Sequence, residues 1–144
     1  MKSAAPGYSG RPLFKKLGIQ PGSRVKTGNA PSDYLALLAP IPDGARISSR
    51  LRAPVDIWHL FVTSRSKLEA QLGRCQSEIT QSGMVWVSWP KKASGVRSDV
   101  TEDVVREVAL PLGFVDVKVC AVDEVWSGIK LVIRRSNRKS PAPP

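Results

Sequence analysis

Gly83-Met84-Val85-Trp86-Val87-Ser88-Trp89-Pro90-Lys91-Lys92-Ala93-Ser94-Gly95 is the stretch that decides the fold. Met84 to Trp89 are mostly apolar and rich in aromatic and β-branched types, which is the composition of a buried strand. Pro90 then delivers the chain into a basic loop containing a glycine. Downstream, Thr101 to Leu110 reads as a helix with Thr101 as cap and Glu102 and Asp103 at the positive end of its dipole. Val115 to Val122 reads as a strand, Asp123 to Gly128 as a turn, and Ile129 to Arg134 as a last strand with alternating faces. The order β–α–β–β, ending in a hairpin, predicts an α/β sheet closed by an antiparallel strand.

Upstream, Val55 to Val62 is apolar at nearly every position, as expected of a strand covered on both faces. Between it and Gly83 lies the best helix, Ser66 to Thr80. Ser66 and Glu69 form a capping box, and Leu68, Leu72, Cys75 and Ile79 share one face. Ser23 to Thr27 and Ala45 to Ser48 are shorter strands. Two short helices surround the first of them. One runs from Pro12 to Gly18; the other is capped by Ser32 or Asp33 and presents Tyr34, Leu35, Leu37 and Leu38. The expected organisation is a flexible segment 1–10, one α/β domain over 11–135, and a flexible, basic, Pro-rich tail over 136–144.

The chain has 144 residues and a formal net charge of +10. Eight cations sit near the ends: Lys2, Arg11, Lys15, Lys16, Arg134, Arg135, Arg138 and Lys139. Without them, fourteen basic residues face twelve acidic ones, so the middle is close to neutral. Basic ends bind nucleic acid weakly and without sequence preference, through counterion release. No apolar run approaches the roughly 18 residues of a membrane span, and the N-terminus lacks the apolar core of a signal peptide. Cys75 and Cys120 form no C-x-x-C pair and, with a single histidine, make a poor ligand set for a metal. The expectation is a cytoplasmic protein with free thiols, no metal and no membrane partner.

Catalytic patterns are absent. No G-x-S-x-G, Walker-A or H-E-x-x-H sequence occurs. His59 lies inside an apolar strand, where a satisfied core histidine is the expected reading. Trp58, Trp86, Trp89 and Trp126 are read mainly as core rather than as a stacking surface.

The strand–helix–strand–hairpin ending, residues 83–135, resembles the C-terminal half of a class I, Rossmann-like methyltransferase. On that likeness Ser23 to Thr27 is strand one, Ala45 to Ser48 strand two and Val55 to Val62 strand four, with the strand-three unit and its helix missing. More specifically, WPKKASG (89–95), TEDVVREVALPLG (101–113), DEVWSG (123–128) and the opening SGRPLFKKLGIQPG (9–22) look like a family of short bacterial proteins classed as a domain of unknown function. The methyltransferase resemblance implies S-adenosylmethionine held by a Gly-rich loop after strand one and by an acid ending strand two. Here Thr27-Gly28-Asn29-Ala30-Pro31 has one glycine, and Ser48, Ser49 and Arg50 supply no carboxylate. No cofactor is therefore expected.

The fold expected is a three-layer, Rossmann-like, mainly parallel sheet of about six strands with an antiparallel C-terminal hairpin. Ligands of such sheets bind outside the carboxyl ends of the strands. That edge collects Asn29, Arg65, Trp89, Lys91, Lys92, Ser94, Gly95, Asp123, Glu124 and Trp126 as candidate ligand or partner residues. The two lysines suit an anionic ligand or an acidic protein surface. The alternative is a clamp in which Lys91 or Lys92 pairs with Asp123 or Glu124. The reading is a non-catalytic binding or regulatory module. Its rivals are a methyltransferase with an atypical cofactor site and a nonspecific nucleic-acid binder working through basic ends.

Overall fold

Twelve residues, Ile79–Pro90 (β4), form the middle of the sheet in the computed structural model, which describes residues 11–139. On one side β4 pairs in parallel with Val55–Phe61 (β3); on the other it pairs antiparallel with Trp126–Ile133 (β6). Beyond β3 lie Arg24–Gly28 (β1) and then Arg46–Ser48 (β2), both parallel; beyond β6 lies Phe114–Ala121 (β5), antiparallel. The strand order is β2-β1-β3-β4-β6-β5. Four parallel strands with an antiparallel pair at one end are the sheet expected from the sequence.

Helices cover both faces. Arg65–Glu78 (α3) and Glu102–Ala109 (α4) lie on one face, over Val85, Val87, Ile129 and Leu131. Leu13–Leu17 (α1) and Tyr34–Leu38 (α2) lie on the other, over Val25, Ile57, Phe61 and Trp86. The alternation along β4 explains this: Val85 and Val87 point one way and Trp86 the other. Each such side chain contributes about 1.5–3 kcal/mol by leaving water. Trp86 also donates its indole N–H to the Leu17 carbonyl at 3.0 Å, tying α1 to the sheet.

Three boundaries differ from the sequence reading, each for a local reason. Helix α3 starts at Arg65, so Ser64 rather than Ser66 is its cap and accepts from the Lys67 N–H at 3.2 Å. The Arg65 N–H is taken by the Asp99 carboxylate at 2.7 Å, from a loop 34 residues away. Glu69 bonds Arg65 instead of closing a capping box. At its other end α3 stops at Glu78, and Ile79 is already extended and paired with Val55. Gly83 is thus inside β4, at a register shift, where a Cβ would lie 2.8 Å from the Asp56 carbonyl oxygen. The last turn is also tighter than expected. The Asp123 carboxylate accepts from the N–H groups of Val125 (2.8 Å) and Trp126 (2.7 Å), so Trp126 already belongs to β6.

Residues 136 and 137, read as the start of a tail, belong to a 3-10 turn, Arg135–Asn137, and Arg138 follows it in extended conformation. The Lys139 N–H donates to the Gln81 side chain at 2.8 Å. Residues 1–10 and 140–144 lie outside the described residues.

Candidate functional site

The carboxyl ends of β1, β3 and β4 share one edge of the sheet, and the expected candidates fall on it in separate groups. Asn29 follows β1 in the left-handed region (φ 58°), and its amide donates to the Phe61 carbonyl at 3.4 Å. Phe61 meets Trp126 edge-to-face, centroids 5.0 Å apart, so Asn29 and Trp126 border one aromatic cluster. Lys91 joins them through its backbone N–H, which donates to the Val125 carbonyl at 2.7 Å.

Lys91 is half-buried, whereas Lys92 is exposed in a 3-10 turn, Lys92–Ser94. That turn is closed on itself. The Ser94 hydroxyl donates to the Lys91 carbonyl at 2.6 Å and accepts from the Val96 N–H, and Gly95 takes the left-handed conformation (φ 77°) that ends the turn. Trp89 points away from the edge into the core under α3 and α4. Arg65 is also directed elsewhere, its guanidinium held by Glu69 at 3.1 Å and Glu107 at 2.7 Å. The alternative clamp is not formed. Asp123 is occupied with its own turn, Glu124 is exposed, and neither Lys91 nor Lys92 enters an ion pair among the described residues.

A cleft that sequence reasoning missed lies at the carboxyl ends of β1 and β2, on the α3 side. Its volume is about 210 Å³, and Thr27, Gly28 and Asn29 at the end of β1, Ser49 after β2, and Gln71, Arg74 and Cys75 on α3 line it together with Lys26 and Trp58. No residue of β1 or β2 joins the core under α3 and α4, so this corner of the sheet is left open. Its organising group is Glu78. That carboxylate accepts from the Lys26 ammonium at 2.8 Å, the Arg74 guanidinium at 2.9 Å and the Trp58 indole N–H at 3.0 Å. Burial opposes its ionisation, but these three donors outweigh burial and hold its pKa at about 2. Lys26 is 7% exposed. Its ammonium also lies 5.7 Å from the centre of the Trp58 ring. The Cys75 thiol is pushed up to about 12 by burial, so it is not a nucleophile near neutral pH. The sequence carries one signal of the cleft: Lys26 stands between Val25 and Thr27 inside a predicted strand.

A second polar chain is sealed inside the opposite face. His59 has no exposed surface; its Nδ1 lies 2.7 Å from the Tyr34 hydroxyl and its Nε2 lies 2.8 Å from the Ser88 hydroxyl. Burial lowers the His59 pKa to about 3, so the ring is neutral. This is a satisfied core histidine. Among the described residues no three His, Cys, Asp or Glu side chains converge to hold a metal ion. No helix among them is long and apolar enough to cross a membrane.

No protein-family model matches the chain, and no curated protein does. Solved structures do. A fibrillarin pre-rRNA processing protein of Methanococcus jannaschii superposes with a TM-score of 0.59 at 11% identity, over 81% of this chain and 69% of that one. A SAM-dependent O-methyltransferase of Thermotoga maritima gives 0.58 at 12% identity, over 96% and 69%. A SAM-dependent methyltransferase of Aquifex aeolicus gives 0.59 at 14% identity, over 84% and 88%. The fold is methyltransferase-like. Likeness at such identities is a likeness of fold, and site chemistry has to be argued from this chain's own residues. In this methyltransferase-like sheet the edge strand next to β1 is β2, followed by Ser49 and Arg50, with no carboxylate at its end.

Proposed function

We propose that the chain is a non-catalytic binding module on the methyltransferase-like fold, taking a small anionic ligand in the cleft between β1, β2 and α3. The observation that carries this reading is the cleft's cation content at the carboxyl end of the sheet, where ligands of such folds bind. Lys26 and Arg74 line it, Ser49, Asn29 and Gln71 offer neutral hydrogen bonds, and no acid lines it; Glu78 bonds both cations from behind the lining. A carboxylate or phosphate entering there gains two charge-assisted partners that Glu78 already orients. The Lys91–Gly95 turn, with its two unmatched lysines, is a second anion-facing element of the same edge and suits an acidic partner surface.

The second reading is a SAM-dependent methyltransferase with an atypical cofactor site. The likeness to solved SAM-dependent methyltransferases favours it. Against it stand the single glycine after β1 and the missing acid after β2. Gly28 is also closely packed, since a Cβ there would lie 2.7 Å from the Trp58 ring. Calorimetric titration with S-adenosylmethionine separates the two. We expect no binding; a dissociation constant at or below tens of micromolar, about −6 to −7 kcal/mol, would put the enzyme reading ahead.

A further inference from the structure

The near-neutral middle of the chain hides a segregation of charge that only the fold displays. On α3 and α4 the arginines are matched by acids: Arg65 bonds Glu69 and Glu107, and Arg106 bonds Glu102, Asp103 and Asp116. At the opposite end of the sheet the outermost strand β2 and the loop after it carry Arg46, Arg50 and Arg52, and no acid occurs between Ala45 and Val55. All three are exposed, and none takes part in an ion pair among the described residues. A fourth arginine organises them. Arg24, in register with Arg46, donates from its guanidinium to the carbonyls of Arg52 (2.8 Å) and Pro54 (3.3 Å), holding the loop against β1. The Arg50 N–H donates to the Ser48 hydroxyl at 3.0 Å, which sets the turn out of β2. The acids flanking this stretch in the chain are Asp43, before β2, and Asp56, which accepts the Arg24 N–H at 2.7 Å.

We propose that this edge binds the phosphodiester backbone of a single-stranded nucleic acid, without reading its bases. The feature is an exposed edge strand and the loop after it rather than a pocket, so it matches a chain of phosphates better than one enclosed anion. The cations are all arginine, whose planar fork bonds phosphate oxygens two at a time. β2 is an edge strand, so its outer side also presents backbone N–H groups to an acceptor. A flexible strand can follow this short, twisted edge, as positively charged tracks do in sequence-tolerant binders. Trp58, two strands inward on β3, is buried, and contacts to phosphate carry no base sequence. The inference is independent of the cleft, because it uses none of the groups bonded to Glu78.

Fluorescence anisotropy with a labelled oligouridylate of about 20 nucleotides tests it across a salt series. The full chain should bind at low salt. R46A/R50A/R52A should weaken binding at least tenfold and reduce the slope of log affinity against log salt by about 2, at about 0.7 per phosphate contact. The charge-matched control K67A/R97A/K118A should stay within about twofold of wild type if contact, not net charge, dominates. Thermal melts establish that each variant is folded. Should the triple variant not fold, each single arginine substitution should lower the slope by about 0.7. Absence of binding by the full chain overturns the proposal. So does an equal loss in the control, or binding that survives all three substitutions and disappears on deleting 1–10 and 140–144.

Discussion

Two polar networks penetrate this protein, one on each side of β3, and they differ in what surrounds them. Tyr34–His59–Ser88 is closed: every ring nitrogen has a partner and no solvent reaches it. Lys26–Glu78–Arg74–Trp58 is equally well bonded, but its Lys26, Arg74 and Trp58 line an open cleft. Neutral groups sealed in a core define which packing is reached, because each left unpaired costs about 1–3 kcal/mol. Charged groups held at a wet opening retain directed bonding capacity for something that arrives from outside. Polar burial alone therefore does not distinguish the two networks; the opening beside one of them does.

The largest effect should come from breaking the sealed network. His59→Leu leaves the Tyr34 and Ser88 hydroxyls unpaired in the core, a loss of about 2–5 kcal/mol. The melting temperature should fall by roughly 10 °C. Adding Tyr34→Phe and Ser88→Ala should recover part of the loss by removing the orphaned groups. A single variant that melts like wild type would sink the assignment.

The networks should also separate by pH. Both groups have folded pKa values below their unfolded ones, so each contributes stability above its unfolded pKa and loses it as pH falls. For His59 the decline runs from about 6.5 towards 3. For Glu78 it runs from about 4.5 towards 2 and amounts to about 2–3 kcal/mol. Denaturant titrations between pH 6.5 and 4.5 should therefore show a slope in wild type that His59→Leu abolishes and Glu78→Gln leaves in place. A slope removed by Glu78→Gln instead would reverse the assignment of that window.

The smallest effect is expected at the edge turn. Since Lys91 and Lys92 enter no ion pair among the described residues, Lys91→Ala with Lys92→Ala should change stability by less than about 0.5 kcal/mol. A marked fall in melting temperature would restore the clamp to Asp123 and Glu124.

Much of the architecture was legible because strands and helices announce themselves locally. The Met84–Trp89 run, the Val55–Val62 run and the hairpin each lie where their patterns place them. What escaped depends on partners distant in sequence. Ser64 outranks Ser66 as a cap because Asp99 arrives from elsewhere to extend the helix start. Lys26, Trp58 and Glu78 are separated by 32 and 20 positions, and nothing in any of their neighbourhoods shows that they meet. Asp123 and Lys91 were legible as loop residues, but the choice between clamp and turn depended on backbone N–H groups that only the folded hairpin aligns.

Asp99 has a wider consequence. The amino end of a helix behind a parallel strand is where an anion finds unpaired N–H groups and a favourable dipole. Here a tethered carboxylate already sits on the first of them. An anion arriving from solution meets a built-in competitor whose local concentration, fixed by the chain, is of millimolar order or above. The protein thus carries an internal surrogate for the phosphate that many α/β sheets borrow from their ligands. The first N–H of α3 is therefore satisfied from within the chain before any ligand arrives.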